Sequence, residues 1–211
     1  MLQIASRSIP GSQHPYEDRV LVDEKLGLFA VADGVTLSSQ GSGGIAAELA
    51  LGLLQENFKG DIVEAVKAVH RAAVERRRKD KDVGETTLTA ITVSDERLQA
   101  ANVGDSPAFL VSGGRIRNLF QEDRSPHGYI TQVIGAPETV RVHSTSLDLR
   151  ARDVVIVASD GVGHVLIPSM MDQFASKPDA DQIADAIIEE ALAQRSGYDD
   201  DKSVIAIRIV A

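Results

Sequence analysis

The chain has no cysteine. That removes disulfides, thiolate metal sites and any cysteine nucleophile, and it suits a reducing compartment. No apolar run approaches the roughly 20 residues of a membrane-spanning helix. The opening residues, MLQIASRSIPG, lack the apolar core of a secretory leader. Cations are also short: 22 Lys and Arg face 31 Asp and Glu, a formal charge of −9. That balance argues against a nucleic-acid partner and gives no sign of a membrane partner. The clearest basic run, ERRRKDK (75–81), ends a predicted helix, where cations suit the dipole. It reads as a solvated helix end. The expectation is a soluble cytoplasmic chain of 211 residues, one domain long enough to bury a core.

Apolar patterning supplies the elements. LQIASRSI (2–9) alternates as a half-buried strand before Pro10 and Gly11. RVLVD (19–23) and LGLFAVAD (26–33) form a hairpin turning near Glu24 and Lys25. A polar loop (36–44) leads to a helix over 45–58, with Ala46, Leu49, Ala50, Leu53 and Leu54 on one face. A second helix (61–79) has Asp61 as N-cap and an apolar stripe of Ile62, Val66, Val69 and Ala73. His70, beside that stripe, reads as structural. Strands follow over 86–94 and 97–105, then a hairpin (107–121) turning at Gly113-Gly114, then strands over 138–149 and 154–157. Helices over 168–177 and 179–196 precede a final strand. Segregated runs of strands and helices indicate α+β rather than a doubly wound fold. Two mainly antiparallel sheets, face to face with helices outside, would cover every apolar face.

Acids collect beside the ends of these strands. Asp18 precedes one, Asp33 and Asp160 end two with a glycine after each, Asp105 ends NVGD, and Asp199-Asp200-Asp201 precede the last. If the central strands end near one another, these carboxylates converge. Bare carboxylates at close range repel and their pKa values rise. A hard divalent cation removes the conflict, and Mg²⁺ or Mn²⁺ takes carboxylate, carbonyl and water oxygens. Glycine permits a tight turn and close backbone approach, so the Gly34 carbonyl is a further candidate ligand. Asp-Gly after a strand is also an ordinary turn signal. On the residues alone, the turn reading and the metal reading both stand.

The order Glu17-Asp18, then ADGV (32–35), ANVGDS (101–106), ASDGV (158–162) and DDKS (200–203) resembles the metal-dependent serine/threonine protein phosphatases of type 2C. Gly84-Glu85-Thr86-Thr87 and Gly135 also fit. Each motif is weak alone; their order along nearly the whole chain is specific. The resemblance implies a four-layer α-β-β-α sandwich, with residues 1–211 as a single catalytic domain. It implies two Mn²⁺ or Mg²⁺ ions, with a third as an option. Asp33 would bridge two ions, with the Gly34 carbonyl on one, while Asp160 and Asp200 complete the other. Asp18 would hold metal-bound water, and Asp105 with Asp160 would match the third-metal site of bacterial-type members. Asp33, Asp160 and Asp200 are the expected catalytic set.

The implied reaction is direct hydrolysis of phosphoserine or phosphothreonine by a metal-bridging hydroxide, with no phosphoenzyme. The implied partner is a phosphorylated protein, opposing a Ser/Thr kinase, and a monomer is expected. Three departures stand out. The arginine that many members place four residues before Glu-Asp is Gln13 here, so His14, Arg19 or Arg7 would have to grip phosphate. The corner after Asp33 reads DGVTLSSQGSGG, which leaves Thr36, Ser38 and Ser39 either lining the cleft or solvated. The stretch 120–137 is short for a flap, predicting a reduced or missing one and an open cleft. His127 within it reads as a surface residue, and His164 is a candidate for leaving-group work. The alternatives are a small-molecule phosphatase or phosphodiesterase on the same dinuclear site, or a degenerate domain that only binds.

Overall fold

The computed structural model describes residues 1–35, 41–194 and 199–210. In chain order, β1 is Leu2–Ile9, β2 Arg19–Asp23, β3 Leu28–Ala32 and β4 Gly34–Val35. Helices α1 (Gly43–Asn57) and α2 (Ile62–Lys79) follow. Then come β5 (Glu85–Thr86), β6 (Leu88–Ser94), β7 (Arg97–Val103), β8 (Ala108–Ser112), β9 (Arg115–Asn118), β10 (His143–Asp148) and β11 (Val154–Ala158). A 3₁₀ turn (Asp160–Val165), α3 (Pro168–Ala175), α4 (Ala180–Ala193) and β12 (Lys202–Ile209) close the order.

One sheet runs β1-β12-β11-β8-β9 and the other β10-β7-β6-β3-β2, with β4 and β5 as a small separate pair. The pairings in both large sheets are antiparallel. Alternation along each strand then builds the layers. In β3, Leu28, Ala30 and Ala32 pack with α1 and α2, whereas Phe29 and Val31 pack against the opposite sheet. In β12, Val204 and Ala206 join α3 and α4, while Ile205 and Ile207 enter the space between sheets. The four-layer α-β-β-α sandwich and the α+β class follow from those three packed cores.

Local chemistry sets most boundaries. Asp61 caps α2 through Val63 N and Glu64 N, and Pro168 opens α3. Three expectations shift. Helix α1 begins at Gly43, because the Ser42 side chain accepts from Ile45 N. Its buried face is rotated: Ala47 and Leu51 are buried, while Leu49 and Leu53 are half-buried. Packing against both β3 and α2 demands a wider arc than the apolar count suggests. The strand expected from residue 86 is broken at Thr87, whose N–H donates to the Asp33 carbonyl at 2.8 Å instead of extending the ladder. The strand expected over 138–149 narrows to β10.

Candidate metal centre

Asp33 leaves the end of β3 with its backbone fixed on both sides. Its N–H donates to Thr87 Oγ1 at 3.0 Å, and its carbonyl accepts from Thr86 Oγ1 at 2.9 Å. Gly34 then passes the start of α1, where a Cβ would lie 2.3 Å from the Gly43 carbonyl carbon. At the second corner, a Cβ on Gly161 would lie 1.9 Å from the Asp201 carbonyl oxygen. Both glycines are required by close approach of another backbone.

Asp105 follows Gly104, whose φ of +111° favours glycine. A buried network backs this corner: Thr87 Oγ1 meets Ser106 Oγ at 2.8 Å, and Thr89 Oγ1 donates to the Ser106 carbonyl at 2.7 Å. Asp18 is held by Asp201. One Asp201 oxygen accepts from the N–H groups of Glu17 (2.7 Å) and Asp18 (3.2 Å), and the other from Gly11 N at 2.7 Å. Asp200 sits at the entry to β12, its Oδ1 2.6 Å from His14 Nε2.

These acids sense one another. Burial, then the charges of Asp201 and Asp160, raise Asp18 to about 7, with the Ser203 and Ser159 hydroxyls offsetting part. Half-buried Asp33 lies well above the usual carboxylate range, first from desolvation and then from Asp18, Asp160, Asp200 and Asp105. Asp105 rises to about 6 through burial and Asp160, against the pull of Arg124. Asp200 rises through burial and Asp160, partly offset by His14.

The donor set fits hard divalent ions. It is all oxygen, it is mutually repulsive, and both carboxylate oxygens of Asp18 are buried with no donor at bonding geometry. Among the described residues, no three His, Asp or Glu side chains yet converge on one point as ligands. Three of the carboxylates, those of Asp105, Asp160 and Asp200, are instead turned to protein cations. His14 faces Asp200. Arg124 Nη2 lies 2.9 Å from Asp105 Oδ2 and 2.5 Å from Asp160 Oδ2.

The expected site residues separate clearly. Asp18, Asp33, Asp105, Asp160 and Asp200 form one electrostatic cluster. His14 reaches that cluster. Arg19 donates to the carbonyls of Tyr16 and Asp18 and stacks on the Tyr16 ring, 5.2 Å from its centroid. Arg7 is committed to Asp181 and Asp185 on α4. His164 is exposed on the 3₁₀ turn. His70 is buried, with Nε2 3.0 Å from the Glu138 carbonyl, as a structural histidine should be. Thr36, Ser38 and Ser39 lie outside the described residues. Sequence reasoning missed Arg124, whose one signal is its place between Asp105 and Asp160. It also missed the bracing role of Asp201 inside the triple Asp.

A profile of the family described as Protein phosphatase 2C matches residues 7–200. The chain belongs to the protein phosphatase 2C family. Among its 2C relatives is a probable protein phosphatase 2C 58 of Arabidopsis thaliana, 26% identical over 93% of this chain and 84% of that protein. The serine/threonine protein phosphatase PstP of Mycobacterium tuberculosis is 25% identical over all of this chain, which spans 45% of PstP. The PstP catalytic domain, solved in complex with 2 manganese ions, superposes with a TM-score of 0.84 at 24% identity. That superposition covers 100% of this chain and 99% of that domain.

Proposed function

We propose that the chain is a Mn²⁺- or Mg²⁺-dependent phosphatase that hydrolyses phosphoserine and phosphothreonine in proteins. The observation that carries this reading is the cluster in which Asp18, Asp33, Asp105 and Asp200 are each raised by the charge of Asp160, in a chain that matches the 2C family over residues 7–200. Asp33, Asp160 and Asp200, with the Gly34 carbonyl, would hold two ions, and Asp18 would stand behind them. When bound, those ions supply charge for in-line displacement at phosphorus and acidify water. The chain's own part is positioning. Asp201 locks the Asp18 backbone, and the threonines of β5 and the 87 break lock Asp33. His14 Nδ1 faces the Pro15 carbonyl at 2.8 Å and Nε2 faces Asp200. Both partners favour the doubly protonated ring: burial opposes it, but the bonds to Pro15 and Asp200 raise the His14 pKa above the ordinary histidine value. This imidazolium is the cation nearest the position where relatives carry arginine, and we assign it the first grip on phosphate, with Arg19 and His164 further out.

The rest of the reading concerns context. Residues 119–142 contain no helix or strand, and we take this turn as the reduced flap of a single catalytic domain. No helix among the described residues is long and apolar enough to cross a membrane. We propose a cytoplasmic monomer acting on phosphoproteins against a Ser/Thr kinase, without nucleic acid or membrane partners. The phosphodiesterase and binding-only alternatives are not favoured by the family match.

The test is hydrolysis of an aryl phosphate and a phosphothreonine peptide, with Mn²⁺, with EDTA, and with Asp160→Asn. Peptide turnover should need Mn²⁺ and fall at least about 100-fold in the variant. A folded protein that turns over neither substrate with any divalent ion would sink the proposal.

A further inference from the structure

We propose that the Arg124 guanidinium is a built-in cation between Asp105 and Asp160, so that this carboxylate pair holds an arginine in place of a further divalent ion. The proposal rests on the phosphatase reading of the same centre. One nitrogen, Nη2, serves both carboxylates, at 2.9 Å to Asp105 and 2.5 Å to Asp160. The remaining nitrogens are also engaged: Nη1 donates to the Gly128 carbonyl at 3.1 Å, and Nε lies 3.4 Å from Glu122. A guanidinium with contacts at Nη1, Nη2 and Nε is well positioned even though it is partly exposed, and it stays protonated at any physiological pH.

The segment that carries Arg124 is pinned to the segment that carries Asp105. Asp123 N donates to the Gly104 carbonyl at 3.1 Å, and Gly104 N donates back to Asp123 Oδ2 at 3.1 Å. Asp123 Oδ1 is held in turn by Gln132 Nε2 (3.1 Å) and His143 Nε2 (2.8 Å). The residue before Arg124 is thereby bonded to the residue before Asp105. This places the guanidinium by main-chain geometry, not by the chance reach of a long side chain. Asp105 is 5% exposed, so water does little to balance its charge and a nearby cation favours the ionised form. Arg124 supplies that cation and also pairs with Oδ2 of Asp160.

The experiment counts Mn²⁺ bound per intact folded chain, by equilibrium dialysis with elemental analysis. The variants are Arg124→Gln, Asp105→Asn and the two combined. Arg124→Gln should bind one more ion than the parent, and adding Asp105→Asn should remove it. Asp105→Asn alone should leave the parental count unchanged, a result that does not depend on Arg124→Gln folding. A parent that loses an ion in Asp105→Asn, or a folded Arg124→Gln with the parental count, overturns the proposal. A parent that binds no Mn²⁺ at all overturns the phosphatase reading as well.

Discussion

Asp201 is an acid whose work is holding backbone. It is 2% exposed and accepts three main-chain N–H groups, from Gly11, Glu17 and Asp18. Bonds to a buried charge are worth about 1.5–3 kcal/mol each, and deletion would strand the amides. Asp201→Ala should therefore lower unfolding free energy by at least about 3 kcal/mol in urea titration. It should also reduce turnover, because Asp18 rides on the same loop. A variant as stable as the parent would show that the loop is held elsewhere. At this scale the sequence was half legible. The repeated Asp-Gly corners announced Asp33 and Asp160, because a glycine beside an acid at a strand end is a local pattern. The pairing of Arg124 with Asp105 and Asp160 is a product of tertiary packing and has no local signature. His14 stood out only through the absent arginine, and its bond to Asp200 spans 186 positions.

Elements were more legible than contacts. Helix α2 was fixed by a cap and a stripe, both local. Asp61→Ala should cost about 1 kcal/mol of stability. Denaturant unfolding reads the loss, and kcat should stay at the parental value, since α2 packs on the far side of β3 and β6 from the other sheet. A fall in kcat would mean that α2 reaches the centre through β5, by way of the Arg77 pair with Glu85. Strands buried on both faces, such as β3 and β11, show as unbroken apolar runs, and their ends were correspondingly clear. Strand β10 was overextended because edge strands carry alternating polar residues that continue into loop. The rotation of α1 was hidden for a different reason: Ala47 counts little in an apolar tally but is fully buried where the helix packs on the sheet.

For the whole molecule, the shifted acids make stability depend on pH in one direction. Asp18, Asp33, Asp105 and Asp200 all titrate above their unfolded values. Between about pH 4 and 7 the native chain therefore holds more protons than the unfolded one, and stability falls as pH rises. Raised His14 acts the same way, contributing below its unfolded value and losing that contribution as pH climbs through its folded one. Asp18 alone, raised from 3.8 to about 7, represents on the order of 4 kcal/mol. The melting temperature of the EDTA-treated protein should be higher at pH 5 than at pH 8, and Mn²⁺ should restore most of the difference at pH 8. An EDTA-treated protein whose melting point rises from pH 5 to 8 would contradict the coupled cluster.

The pairing of β1 with β12 bears on how the protein is made. Leu2 meets Ile209, and β12 lies between β1 and β11 near the middle of its sheet. A chain still being synthesised can assemble β3, β6 and β7 against α1 and α2, and β11 can join β8, but β1 has no partner until β12 leaves the ribosome. Asp200 and the brace at Asp201 arrive in the same final step. A polypeptide that ends before β12 thus lacks Asp200 and the brace at Asp201, and cannot complete the centre.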